Sequence, residues 1–147
     1  MKVKDVLQKK KRELITVDGS TDILTAMELL IKNEISCLPV LGFSGQLVGI
    51  VSDKDIFHAV FNNQDSFRSL KVSNLMTTDL LVGLEDDEID YIGGVMTNNG
   101  IHHIPIVEKD KIIGLVSQGD VVKAEIKRIK IENRYLKLYM EGNYPTQ

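Results

Sequence analysis

The chain carries one unit twice, and this duplication constrains its fold more than any other feature. Ile35-Ser36-Cys37-Leu38-Pro39-Val40 returns as Ile101-His102-His103-Ile104-Pro105-Ile106, 66 residues on. Gly49-Ile50-Val51-Ser52-Asp53-Lys54-Asp55-Ile56 returns as Gly114-Leu115-Val116-Ser117-Gln118-Gly119-Asp120-Val121, 65 residues on. The openings match as well, Lys2-Val3-Lys4-Asp5-Val6-Leu7 against Lys71-Val72-Ser73-Asn74-Leu75-Met76. A period this long, present only twice, points to a tandem duplication folded back on itself, because an open solenoid needs three or more repeats. Two copies of one unit pair about a pseudo-two-fold axis, and such an axis creates two related clefts. Function is to be sought there.

Each copy reads as strand, helix, strand, strand, helix (βαββα). In the first, Leu14 to Val17 is a short β-rich run ended by Asp18-Gly19-Ser20, a turn cluster that also offers a helix N-cap. Ile23, Ala26, Met27, Leu30 and Ile31 recur at helical spacing. Leu38 to Leu41 and Gln46 to Val51 flank Gly42-Phe43-Ser44-Gly45, a hairpin signal. A second helix starts near Asp53 and runs through Phe57 and Phe61. The second copy repeats the order: Leu80 to Val82, a helix over Asp87 to Asn98, Ile104 to Val107, Lys111 to Val116, and a helix from Gly119. These readings divide the chain into repeat one (1–61), a polar linker (62–70), repeat two (71–128) and a C-terminal helical extension (129–147). Gly93-Gly94 falls in mid-helix, where two glycines cost about 1 kcal/mol each relative to alanine; close approach of another helix is the expected compensation. Ile129, Ile131, Tyr135, Leu138 and Tyr139 keep the extension apolar, as in a helix that docks on something.

The 147 residues suit one compact α/β domain, and a net charge of −3 gives no global reason to expect nucleic acid as a partner. No apolar run approaches a membrane span, no signal peptide is recognisable, and the single Cys37 fits a reducing compartment. A cytoplasmic location is expected, without membrane attachment.

The chemistry lies in the Ser-x-x-Asp pair that opens the last helix of each copy, Ser52 with Asp55 and Ser117 with Asp120. One reading is a capping box, with both side chains satisfying backbone N–H groups. The other is a binding site: free N–H groups and the positive end of the helix dipole face an anion such as phosphate, while the carboxylate accepts hydrogen bonds from two vicinal hydroxyls, as a ribose offers. The readings are compatible, since the serine caps while the aspartate takes the sugar.

With these motifs in this order, residues 2–128 resemble a tandem of cystathionine-β-synthase (CBS) domains, the pair often called a Bateman module. The resemblance rests on a hydrophobic-x-x-hydrophobic-Pro-Val strand followed by Gly-hydrophobic-hydrophobic-Ser/Thr-x-x-Asp, both occurring twice. It implies two repeats packed sheet to sheet, a disc-like homodimer, and a non-catalytic sensor of adenosine-containing ligands that regulates another protein. The ligand class is AMP, ADP or ATP, with NAD(H) and S-adenosylmethionine as alternatives, and a structural dimeriser with vestigial sites or a small enzyme as rival functions. Carried over by position, Asp120 and Asp55 hold the ribose hydroxyls of the two sites. Ser117, with Gly119 in the same turn, and Ser52 lie near phosphate, and Leu80-Leu81 and Ile15-Thr16 contact the base. His102 and His103 stand where the chain resembles the γ subunits of AMP-activated kinases, which have a His-Arg pair facing phosphates. Repeat one has Ser36-Cys37 there, and Lys54 stands beside Asp55 where relatives often have arginine. The Asp120 cleft is therefore expected to be the tighter.

Other groups have plainer readings. Adjacent His102 and His103 point to opposite faces of a strand, and with His58 and one cysteine they make no zinc set. Cys37 is expected as a small core residue. The run Lys9-Lys10-Lys11-Arg12 reads as a solvated face, with a docking patch as the alternative. Glu85 to Glu88 places acids ahead of a helix, where the dipole favours them. No motif supports catalysis.

Overall fold

Alternating and helical apolar patterns become strands and helices in a computed structural model that describes residues 1–142. In chain order these are α1 (Val3–Lys9), β1 (Val17–Asp18), α2 (Ile23–Asn33), β2 (Cys37–Leu41), β3 (Leu47–Ser52), α3 (Asp53–Asn62), α4 (Ile89–Asn99), β4 (His103–Glu108), β5 (Lys111–Ser117) and α5 (Gln118–Met140). Short 3-10 turns at Phe67–Ser69 and Val72–Asn74 occupy the region between the copies. The result is the mixed α/β architecture that the duplication implies. Residues 143–147 of the expected C-terminal extension lie outside the described residues.

The strand hairpins are near copies. β2 pairs antiparallel with β3, Cys37 opposite Ser52, and β4 with β5, His103 opposite Ser117; both pairings shift register at the matching place, Val40/Leu41 and Ile106/Val107. β1 adds a parallel third strand to the first hairpin, Val17 opposite Val40. The second sheet stops at two strands. The strand expected over Leu80 to Val82 does not form, and only Gly83 bridges to Ile106. Gly83 sits where an added Cβ would lie 2.7 Å from Ile92 and 2.9 Å from Ile106, so the chain touches the sheet at one glycine. Leu81 and Val82 remain exposed. Apolar character alone makes no strand when the backbone has no ladder to join.

The cap of α2 also differs from expectation. Asp18 accepts the Ser20 N–H in a local turn, and Asp22 is the N-cap, accepting the Thr25 N–H at 2.7 Å. Ile23, Ala26 and Leu30 are buried while Ile31 is 75% exposed, so the apolar stripe of α2 is wider than its own core needs.

Two cores exist, and each borrows from the other copy. Ile23, Leu30, Leu38, Val40, Val51 and Ile56 form the first together with Val72, from the start of repeat two. Ile89, Ile92, Met96, Ile104, Ile106 and Val116 form the second together with Val3 and Val6. Backbone hydrogen bonds fix the exchange: Val3 N–H to Asp87 O and Val72 N–H to Thr21 O, at 2.9 and 2.8 Å. Burying each Val or Ile here contributes about 1.5–3 kcal/mol, so neither core is complete without the other repeat's opening. Helix α1 was not among the sequence-based expectations, although Val3, Val6 and Leu7 have its spacing.

Of the paired glycines, Gly93 meets the expectation of close helix approach. A Cβ there would lie 2.8 Å from Val121 of α5, whereas Gly94 faces open space. Among the described residues, no helix is long and apolar enough to cross a membrane.

Candidate ligand-binding site

The Ser-x-x-Asp pairs are built as capping boxes in both copies. Ser117 Oγ accepts the Asp120 N–H at 3.2 Å, and Asp120 Oδ2 accepts the Ser117 N–H at 2.9 Å. Ser52 and Asp55 repeat this at 3.2 and 2.9 Å. Each serine hydroxyl proton stays available for an outside acceptor, as does the second oxygen of each carboxylate.

The two copies then part company. Asp120 lies at the wall of an open cavity of 930 Å³ between the repeats. Repeat two supplies Ser117, His103, Gly114 and Leu115 to it, and repeat one supplies Leu14, Ile15, Ile35, Ser36 and Cys37. Six cationic side chains complete the wall: Lys9, Lys10, Lys11 and Arg12 from the end of α1 and the connector after it, and Lys123 and Lys127 from α5. Against them stand only the carboxylates of Glu13, Glu34 and Asp120. Lys9, Lys11 and Arg12 are exposed, as a solvated face requires, while Lys10 is half-buried and turned into the cleft. The exchange of α1 into the second core swings this basic run over the cleft, and that tertiary event leaves no local pattern in the chain.

Lys10 departs from that face through two hydrogen bonds. Its Nζ donates to Asp120 Oδ2 at 2.8 Å and to Leu115 O at 2.7 Å, in a pair whose side chains are 29% and 11% exposed. Burial works to raise the Asp120 pKa, but the Lys10 hydrogen bond and charge and the Ser117 N–H outweigh it, holding the carboxyl below the usual range. Lys9 is pushed below its ordinary value by its neighbour Lys127, against a weaker opposing pull from Asp5.

The histidines divide at the start of β4, which begins at His103. His103 faces the cavity, its Nε2 3.1 Å from the Ser36 hydroxyl across the repeat boundary, while His102 is exposed and lies outside the cavity lining. Burial, and then the neighbouring His102, lower the His103 pKa. Cys37 is 2% exposed, and burial pushes its thiol up to about 12, as suits a core residue.

The remaining positions singled out in the sequence lie elsewhere. Gly119 is exposed on the first turn of α5, and Thr16 is half-buried beside Ile15 but outside the cavity lining. Leu80, Leu81, Ser52, Asp55 and the exposed Lys54 do not line the Asp120 cavity.

A duplicated α/β unit with a cleft between its halves is the architecture of a tandem repeat pair. The chain belongs to the CBS-domain family, whose model matches residues 3–62 and 72–127. Among solved structures it is similar to CBSX2 in complex with AMP, at 30% identity and a TM-score of 0.72, covering 86% of this chain and 96% of that one. It is similar also to the CBS domain pair of MJ0100 in complex with 5′-methylthioadenosine and S-adenosyl-L-methionine, at 26% identity and a TM-score of 0.77, covering 87% and 98%. A curated relative, the L-aspartate semialdehyde sulfurtransferase of Methanocaldococcus jannaschii, is 30% identical over 81% of this chain. The chain spans only 22% of that protein's length.

Proposed function

We propose that this chain is a non-catalytic regulatory module that binds a phosphorylated adenosine, of the AMP, ADP or ATP class, in the cavity beside Asp120. The observation that carries the reading is a recessed carboxylate set among six cations in one cleft. The carboxylate accepts the ribose hydroxyls, the apolar side chains of Ile15 and Ile35 flank the base, and the cationic wall receives phosphate. The Ser117 hydroxyl, engaged only as an acceptor by the Asp120 N–H, has its proton to offer a phosphate oxygen. Asp120 keeps its second oxygen for the sugar while Lys10 and the Ser117 N–H hold the first, and the third N–H of the Lys10 ammonium is left for a phosphate.

The same wall argues against S-adenosylmethionine, whose sulfonium would add positive charge where it is already in excess. A dinucleotide such as NADH keeps the phosphate contacts and is the second choice. Catalysis has no support in this cavity: the Cys37 thiol is held protonated, and the Ser117 hydroxyl has no base within the bonds described. The module is further proposed to act as a homodimer. An apolar groove of 630 Å³ between α2 and α3, edged by the exposed Ile31, Phe57 and Phe61, and the exposed apolar face of α5 support this.

Calorimetry with AMP, ADP, ATP, NADH and S-adenosylmethionine tests the ligand. Binding of the phosphorylated ligands, with most of it lost in Asp120→Ala, is the expected result. Equal binding of AMP, GMP and CMP would remove adenosine from the reading, and S-adenosylmethionine binding more tightly than AMP would overturn the phosphate assignment.

A further inference from the structure

Beyond the matched family region, which ends at residue 127, α5 continues to Met140 and carries a pattern of its own. Val122, Ile126, Ile129, Asn133, Leu136 and Met140 follow one another at alternating spacings of four and three. That is the a/d seam of a heptad repeat, with Ile126, Asn133 and Met140 at a and Val122, Ile129 and Leu136 at d. The apolar members are exposed, from 47% at Ile126 to 84% at Met140. The opposite side of the helix is already used near its start, where Val121 and Ala124 pack on the second core. The seam faces away from the protomer.

The flanking charges say what covers it. Glu125 and Glu132 fall at g, and Lys123, Lys130 and Lys137 fall at e. In a parallel pair of these helices, g of one strand meets the following e of the other, which sets Glu125 against Lys130 and Glu132 against Lys137 of a second copy. An antiparallel pair sets g against g and e against e, glutamate on glutamate and lysine on lysine. A single Asn at a selects two strands and one register, because only there does each Asn amide find its counterpart.

We infer that α5, from Val122 onward, forms a parallel two-stranded coiled coil with a second copy of this chain, sealed by the Asn133 layer. The seam is just under three heptads, so the pairing rests on the homodimer reading, in which the globular parts raise the effective concentration of the two helices. A second apolar stripe on α5 (Val121, Ala124, Ile131, Tyr135 and Leu138) is the competing seam. It places Arg128, bound to Glu125 at 2.7 Å, in its centre and begins on residues that the core already holds.

Single introduced cysteines in the full chain decide it, since native Cys37 is only 2% exposed. Under mild oxidation Leu136→Cys is expected to give a disulfide-linked dimer, because facing d positions across a parallel dyad meet disulfide geometry. Tyr135→Cys, on the competing stripe, is expected to stay monomeric on a denaturing gel. Lys137→Glu is expected to slow the Leu136→Cys cross-link roughly three- to tenfold at low salt, and adding Glu132→Lys to restore it. Light scattering showing a dimer in which neither cysteine cross-links would overturn the coiled coil and leave the homodimer standing. Preferential cross-linking of Tyr135→Cys would overturn it as well, and a wild-type monomer would remove both.

Discussion

Replacing Lys10 with alanine tests whether the exchanged α1 helix contributes a working part of the cleft. The Lys10–Asp120 contact is a charge-assisted hydrogen bond of 2.8 Å, a type that contributes about 1.5–3 kcal/mol. Lys10 is 29% exposed, so water recovers part of that loss, and about 1–2 kcal/mol is the expected coupling between the two residues. For a chain of this size that corresponds to a fall in Tm of about 2–8 °C. A double-mutant cycle over Lys10→Ala, Asp120→Ala and the pair, read by urea unfolding, isolates the coupling from the cap that Asp120 also provides, itself about 1 kcal/mol. The pH dependence supplies the sign. The Asp120 carboxyl is held below its ordinary value in the folded chain, so its contribution is full above about pH 4 and is lost as pH falls through the folded value. The coupling should be undiminished from pH 7 to about pH 5 and shrink on approach to about pH 3.5. A coupling near zero at pH 7, or one that persists unchanged in acid, would refute the argument that Lys10 and Asp120 interact as an ion pair.

Further outcomes follow from the same geometry. Burial holds His103 below its usual pKa, so the folded state binds fewer protons than the unfolded; stability is lost as pH falls from about 6.5 through the folded value, and His103→Gln should flatten the urea midpoint across pH 7.5–5.5. A bound phosphate opposes that shift, so the Tm increase given by AMP should grow between about pH 8 and 6.5 in wild type and not in His103→Gln. Gly93→Ala should cost about 1–3 kcal/mol by urea unfolding, because its methyl meets Val121 at 2.8 Å, whereas Gly94→Ala should gain about 0.5–1 kcal/mol of helix propensity in open space.

The repeats were legible because identical local chemistry recurs: the Pro-containing strands, the capping boxes and the amphipathic α2 follow from spacing alone. What was hidden is what tertiary exchange decides. Val3, Val6 and Leu7 have helical spacing, but only their burial in the other copy's core gives a seven-residue helix a reason to form. Lys10 sits in a basic run like many solvated ones, and nothing within that run signals that Asp120, 110 residues away, is its partner. Leu80 to Val82 failed in the opposite sense, having strand composition without a ladder to join. The site aspartates and serines were readable as a pair of motifs; which cations would surround one of them was not.

That exchange also gives the two repeats unequal connectors. Leu7 and Met76 are structural counterparts, each packed on the equivalent glycine of the hairpin it covers, Gly114 and Gly49. Val17 and Gly83 are counterparts too, bridging to Val40 and Ile106. Between these anchors repeat one runs through residues 8–16 and repeat two through the shorter 77–82. The longer connector holds Lys9, Lys10, Lys11 and Arg12, and α1 delivers it to the Asp120 cleft of the opposite copy. The shorter one, Thr77-Thr78-Asp79-Leu80-Leu81-Val82, holds no cation and one carboxylate. An anionic ligand beside Asp55 would have exposed Lys54 as its nearby help, and Ser36, the counterpart of His102, is already engaged with His103. AMP should therefore bind the Asp120 cleft the more tightly, by a margin of at least one charge-assisted contact, about tenfold or more at low salt. Titrating wild type, Asp55→Ala and Asp120→Ala by calorimetry reads this directly: Asp120→Ala should remove the tighter phase, and Asp55→Ala should leave it. Raising salt should bring the two phases together, since the excess is carried by lysines. A larger loss in Asp55→Ala, or a gap indifferent to salt, would mean that the basic connector does not serve the ligand.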